Sequence, residues 1–241
     1  IDGNPDGLGL WLFHVDWTTP ANSTFTGQTL LPVAAFDANL CDWSRNCIPQ
    51  PGGTALDAIS DRLMFRNQYR NLGASQALVL NHTVDATGAD LAGLRWYQLT
   101  NSGGGWSLAQ QGTYAPQDGH QRWMGSIAMD KDANLAIGYS ISSTSLFPSI
   151  AYTGRLAGDP ANTLPQGETS LILGNGSQSH TSGRWGDYSS MSVDPVDDCT
   201  FWYTQEYYAA DSNSGWQTRI GALRYPSCVS SPTGGPAGRA T

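Results

Sequence analysis

Asp187 and Glu206 are the acidic residues of this 241-residue chain whose placement best suits acid–base chemistry. The stretch Arg122-Trp123-Met124-Gly125-Ser126-Ile127-Ala128-Met129-Asp130 recurs, altered, as Arg184-Trp185-Gly186-Asp187-Tyr188-Ser189-Ser190-Met191-Ser192-Val193-Asp194. Asp187-Tyr188 falls in a two-residue expansion that only the second copy has, and Glu206 stands where the first copy has Ser142. Repetition usually serves a scaffold, so departures from it are where chemistry is sought. Two neighbouring carboxyls, one kept protonated near neutrality, are the minimum for glycoside hydrolysis. Arg184 and Tyr188 would then position the substrate. The plainer alternative is a pair of solvated loop carboxylates.

The repeated positions carry a different chemistry. Arg122-Trp123 follows His120, Arg184-Trp185 follows His180, and Asp61-Arg62 takes the comparable place earlier in the chain. A guanidinium fork holds a carboxylate in two parallel hydrogen bonds, and an indole face stacks on a sugar ring or a cation. Arg62, His120, Arg122, Trp123, His180, Arg184, Trp185 and Tyr188 are therefore the expected ligand-binding residues, for an anionic or polyhydroxylated ligand. The same repeated Arg-Trp pairs would equally brace neighbouring sheets by stacking and carbonyl hydrogen bonds.

Other familiar constellations are missing. Asp130-Lys131-Asp132-Ala133-Asn134 opens like a calcium loop, but Leu135 and Ile141 stand where an EF-hand needs glycine and glutamate. An Asp-rich hairpin turn explains it better; a structural calcium in another geometry stays open, and no other cofactor is expected. The four cysteines lack Cys-x-x-Cys spacing and have no histidine nearby, so no metal site is assigned. No Gly-x-Ser-x-Gly elbow supports a serine hydrolase, and Gly103-Gly104-Gly105 reads as a hairpin turn.

Short alternating strands must position these residues. The 64-residue offset that aligns Ser126 with Ser190 also matches Asp130 with Asp194, Tyr139 with Tyr203 and Arg155 with Arg219. Such a period predicts an all-β chain of four-stranded antiparallel β-propeller blades. Strands are predicted at 63–69, 76–84, 93–100 and 106–114, at 126–129, 135–142, 149–155 and 169–173, and at 191–193, 201–207 and 216–225, with 8–17 and 25–36 before them. That amounts to about three and a half blades over residues 1–228, the C-terminal part or half of a larger ring. The missing blades would come from the rest of a longer protein, a partner chain or a second copy. A β-sandwich with an accidental repeat is the alternative. Residues 40–60 read as an insertion between blades, with a helical turn at 55–62, and residues 229–241 as a Gly/Pro/Ser-rich tail or linker.

Composition narrows the partners. The formal net charge is −8, only 13% of residues are charged, and Lys131 is the only lysine. Without basic clusters, neither nucleic acid nor an anionic membrane finds its counter-charge, and no apolar run approaches the roughly 20 residues that span a bilayer. Disulfides Cys41–Cys47 and Cys199–Cys228 are the simplest pairing, which implies an oxidising, extracellular setting. The chain starts at Ile1 with no signal peptide, so removal of an upstream segment is expected. Sequons at Asn22, Asn81 and Asn175 would allow glycosylation in a eukaryotic host.

Arg184-Trp185-Gly186-Asp187-Tyr188-Ser189, with Asp198-Cys199-Thr200-Phe201-Trp202-Tyr203 behind it, resembles a recurrent segment of large secreted bacterial propeller proteins of a mostly uncharacterised family. The likeness runs from about Gly9 to Cys228 and implies an exported propeller without an assigned activity. Sialidase-type propellers are a looser comparison, since the Ser-x-Asp-x-Gly-x-Thr-Trp box is not met at residues 129–134. The expected function is a secreted module binding a glycan or other extracellular ligand through an Arg/Trp/Tyr-rich face. A glycoside hydrolase using Asp187 and Glu206, and an assembly module completed by a partner chain, are the alternatives.

Overall fold

The computed structural model describes residues 5–229 and is all-β, with antiparallel sheets of two to four strands. The linker-like tail predicted from residue 229 lies, from residue 230 on, outside the described residues. β1 (Gly7–His14) and β2 (Thr24–Pro32) form a hairpin; β3 (Asn46–Ile48) and β4 (Leu56–Asp57) form a second, small sheet. β5 (Gln68–Asn71), β6 (Gln76–Asp85), β7 (Ala92–Asn101) and β8 (Ser107–Tyr114) make a four-stranded meander. A second meander follows as β9 (Gln121–Met129), β10 (Leu135–Ser142), β11 (Ser149–Arg155) and β12 (Thr169–Ile172). β13 (Ser190–Val193), β14 (Phe201–Tyr207) and β15 (Gln217–Leu223) form a three-stranded sheet.

The three larger sheets stack face to face in chain order. Val79, Leu94 and Trp96 of the first meet Ile127, Ile137 and Tyr139 of the second. Ala136 and Ile150 of the second meet Met191, Phe201 and Tyr203 of the third. Gly138 allows that close approach, because a β-carbon there would clash with the Tyr203 ring. His82 is a core ring, edge-on to Phe36 and stacked on Tyr97, and burial pushes its pKa down to about 4. Of the sequons, Asn22 and Asn175 are exposed, whereas Asn81 is fully buried and closed to a glycan.

Two predicted elements are corrected. The strand expected at 63–69 begins only at Gln68 and runs to Asn71 as β5. No helical turn forms at 55–62; Leu56 and Asp57 instead pair with Ile48 and Asn46 as β4 against β3. The Asp57 amide bonds to the Gly183 carbonyl at 2.8 Å and the Ala58 amide to the Arg45 carbonyl at 3.0 Å, so the local backbone donors are used across strands. Leu56, Ala58, Ile59 and Met64 bury against Trp123 and Trp185. The 40–60 segment thus packs on the loop that carries Asp187.

Candidate functional site

The two copies of the repeat fold differently at their Arg-Trp pairs. In the first, Arg122 lies inside β9 and pairs across the ladder with Ile141. In the second, the two extra residues break the ladder, and β13 begins only at Ser190. Residues 184–189 are left as a loop. Gly186 turns it with φ of 40°, a left-handed conformation that glycine adopts without a side-chain clash. Asp187 and Tyr188 project from that turn.

Opposite the loop, Glu206 sits on β14 across from Thr218 on β15. Alternation along β14 sends Phe201, Tyr203 and Gln205 into the core and leaves Thr204 and Glu206 on the other face. Between loop and hairpin lies a cleft of about 490 Å³. Asp187, Glu206, Arg184, Tyr188 and His180 line it, together with Gln178, Asn213, Ser214, Trp216 and Thr218.

The two carboxyls differ in surroundings. Asp187 accepts a hydrogen bond from Arg184 Nη2 at 2.6 Å. Among the described residues Glu206 has no cationic partner; burial, reinforced by the charge of Asp187, pushes its carboxyl up to about 7, against a lowering by the Gly186 amide. Such a group is protonated in a large fraction of molecules at neutral pH. The Glu206 amide is held by Gln205 Oε1 at 2.8 Å, which fixes the strand end. His180 is exposed at the rim, its Nδ1 2.7 Å from the Ser182 hydroxyl.

Three expected ligand contacts are corrected. Trp123 is fully buried and tilted against Trp185, ring centroids 6.0 Å apart, so it has no face to offer a ligand. Trp185 borders the cleft but is also buried, stacked on Tyr208 and bonded through Nε1 to Ser140 Oγ at 2.9 Å. Arg122 is 1% exposed and spends its guanidinium on Glu168 and Asp118, the shortest bonds being 2.6 Å to each. These residues brace sheets. His120 lies away from the cleft, its carbonyl accepting from Arg122 Nη1 at 3.0 Å. Arg62 is forked onto Asp61 and also stands beside the Tyr188 hydroxyl, outside the main cleft.

Comparison of the chain with protein-family models, curated proteins and solved structures finds no match.

Sequence reasoning passed over Trp216, whose ring is 57% exposed on the cleft wall. The signal was available: the polar run Asp211–Gly215 is a hairpin connection, so the residue that follows it returns beside the end of β14, where Glu206 sits. Asp130, in the calcium-like loop, accepts from the amides of Asp132 and Asn134 and from Asn134 Nδ2 at 2.8–2.9 Å, a turn-forming role. Among the described residues no group of three or more His, Cys, Asp or Glu side chains is placed to hold a metal ion.

Proposed function

We propose that this chain is an extracellular β-propeller module, or part of one, that binds a glycan between the 178–188 loop and β14–β15 and cleaves its glycosidic bond with Asp187 and Glu206. The observation that carries this reading is the sharing of one cleft by two carboxyls of unlike character, one ion-paired and one desolvated. Glu206, protonated, gives its proton to the glycosidic oxygen as the bond to the anomeric carbon breaks. The Asp187 carboxylate stabilises the positive charge that develops on the sugar ring, and water completes the hydrolysis. Trp216 and Tyr188 offer ring faces to a pyranose, and Gln178, Asn213 and Thr218 offer hydrogen bonds to its hydroxyls.

The propeller assignment draws support from the face-to-face stack of successive meanders and from the 64-residue repeat. The extracellular assignment draws on the two disulfides, Cys41–Cys47 and Cys199–Cys228. Binding is tested on immobilised glycans with the Glu206→Gln variant, which would hold its ligand without consuming it. At least one glycan should be retained, and Trp216→Ala should weaken retention at least tenfold. Failure of both wild type and Glu206→Gln to retain any glycan would defeat the reading.

One observation favours an additional assembly role. The first sheet exposes apolar side chains: Trp11, Leu12, Phe13 and Phe25 on the β1–β2 hairpin. A further sheet, from a partner chain or a second copy, would cover them as Phe201 and Tyr203 are covered. Light scattering on the purified chain distinguishes a second copy (a dimer) from a partner (a monomer).

A further inference from the structure

A second crevice of about 220 Å³, sharing no lining residue with the cleft, is lined by Trp43, Arg45, Asp57, Ser60, Asp61 and Arg62. Arg62 stands beside the Tyr188 hydroxyl. The Asp57 amide is bonded to the Gly183 carbonyl at 2.8 Å, so the crevice floor and the catalytic loop are joined.

The wall carrying Trp43 is built with unusual backbone geometry. Cys41, Asp42 and Trp43 are three successive non-glycine residues with positive φ, at 48°, 53° and 64°. Such backbone is sterically disfavoured for any residue with a β-carbon. The conformation is enforced from several sides: the Cys41–Cys47 disulfide closes the loop, Asn39 Oδ1 takes the Trp43 amide at 2.7 Å, and Asp90 takes the Cys41 amide. The result leaves a large indole 61% exposed. Strained, over-determined backbone that displays an apolar ring to solvent is the pattern of a ligand clamp rather than of a packing element. Arg45 is anchored on buried Asp57 through Nη2 alone, leaving its other guanidinium donors to solvent.

We infer that the two crevices form one groove, with Trp216 on one side of the carboxyl pair and Trp43 on the other, that takes an extended oligosaccharide and cuts within it. This rests on the glycan-cleaving reading and specifies its substrate as a chain of several sugars. Trp43 stacks on a sugar beyond the cleaved bond, while Arg45 and Arg62 donate to its oxygens.

The test uses the full chain carrying Glu206→Gln and ladders of cello-, xylo-, chito- and galacturono-oligosaccharides of two to eight sugars. Affinity for the accepted ladder should rise at least tenfold from the shortest to the longest member. Adding Trp43→Ala should abolish the rise and leave affinity for the shortest member unchanged, whereas Trp216→Ala should weaken every length. A melting curve that matches the parent shows that the Trp43 variant is folded. Independently, wild type should release mid-chain fragments rather than single terminal sugars. Affinity that does not grow with length, or growth that survives Trp43→Ala, overturns the extended groove while the glycan reading stands. If no ladder binds and none is cut, the glycan reading falls and the groove with it.

Discussion

Asp187 and Glu206 come from separate elements, a loop and the end of a strand, yet line one cleft, where burial and, after it, the charge on Asp187 raise the pKa of Glu206. Arg184 holds Asp187 at 2.6 Å but does not pair with Glu206. An arginine shared between both carboxyls would keep both ionised. Here one carboxyl is held by an ion pair and the other keeps its proton in a large fraction of molecules near neutrality, the difference that acid-assisted bond cleavage needs.

That difference has a stability consequence. The Glu206 carboxyl titrates at 4.5 as an ordinary glutamate and at about 7 in the fold. Between those values the folded protein binds the extra proton, so stability falls as pH rises from 4.5 to 7 and the penalty is complete above 7. Glu206→Gln removes it. The variant should be more stable than wild type at pH 8 by about 1–3 kcal/mol and close to it at pH 4, measured by chemical denaturation. A difference that does not change with pH would contradict the burial of this carboxyl.

Arg122 and Arg184 occupy equivalent places in the repeat and should respond in opposite ways. Arg122→Ala strips two carboxylates of a buried partner and should destabilise by about 3 kcal/mol. It should also release Asp118, which Arg122 holds down to about 2, toward the usual carboxylate range. Arg184 is 58% exposed, and its removal should change stability by less than about 1 kcal/mol while weakening glycan binding. Thermal melts and glycan retention on both variants check the contrast. A cooperative melt lost in Arg184→Ala would make it a scaffold residue.

The Cys199–Cys228 bridge ties the start of β14 to the segment after β15 across 29 residues. Replacing both cysteines with serine should cost about 2–4 kcal/mol, through the freedom regained by the unfolded chain. Denaturation of the variant, beside wild type with and without reductant, measures it. A reductant-insensitive wild type would mean that the bridge is not formed.

Much of the strand layout was legible because the alternation and turn residues are local signals. Leu135–Ser142, Ser149–Arg155 and Phe201–Tyr207 coincide with the predicted spans. The pairing Cys41–Cys47 and Cys199–Cys228 followed from proximity in sequence. What failed was orientation. Arg122, Trp123 and Trp185, read as part of a ligand face, turn inward, and burial of the two indoles involves the 40–64 segment packing over them, a long-range contact that no local pattern announces. The helical turn at 55–62 failed for the same reason: Asp57 finds its amide partner at Gly183, far along the chain. Asp187 and Glu206 stand out in the sequence because they break the repeat, a comparison internal to the chain, and both line one cleft.

The measurement that tests the account most directly is release of reducing ends from a panel of soluble polysaccharides as a function of pH, by wild type, Asp187→Asn and Glu206→Gln. The account predicts cleavage of at least one polysaccharide by wild type, declining as pH rises through about 7 as Glu206 loses its proton. Both variants should lose cleavage at least a hundredfold while keeping the wild-type fold. Cleavage retained by Glu206→Gln, or a wild-type rate that stays level above pH 7, would contradict the assignment of Glu206 as the proton donor. No cleavage of any member would contradict the hydrolytic reading itself.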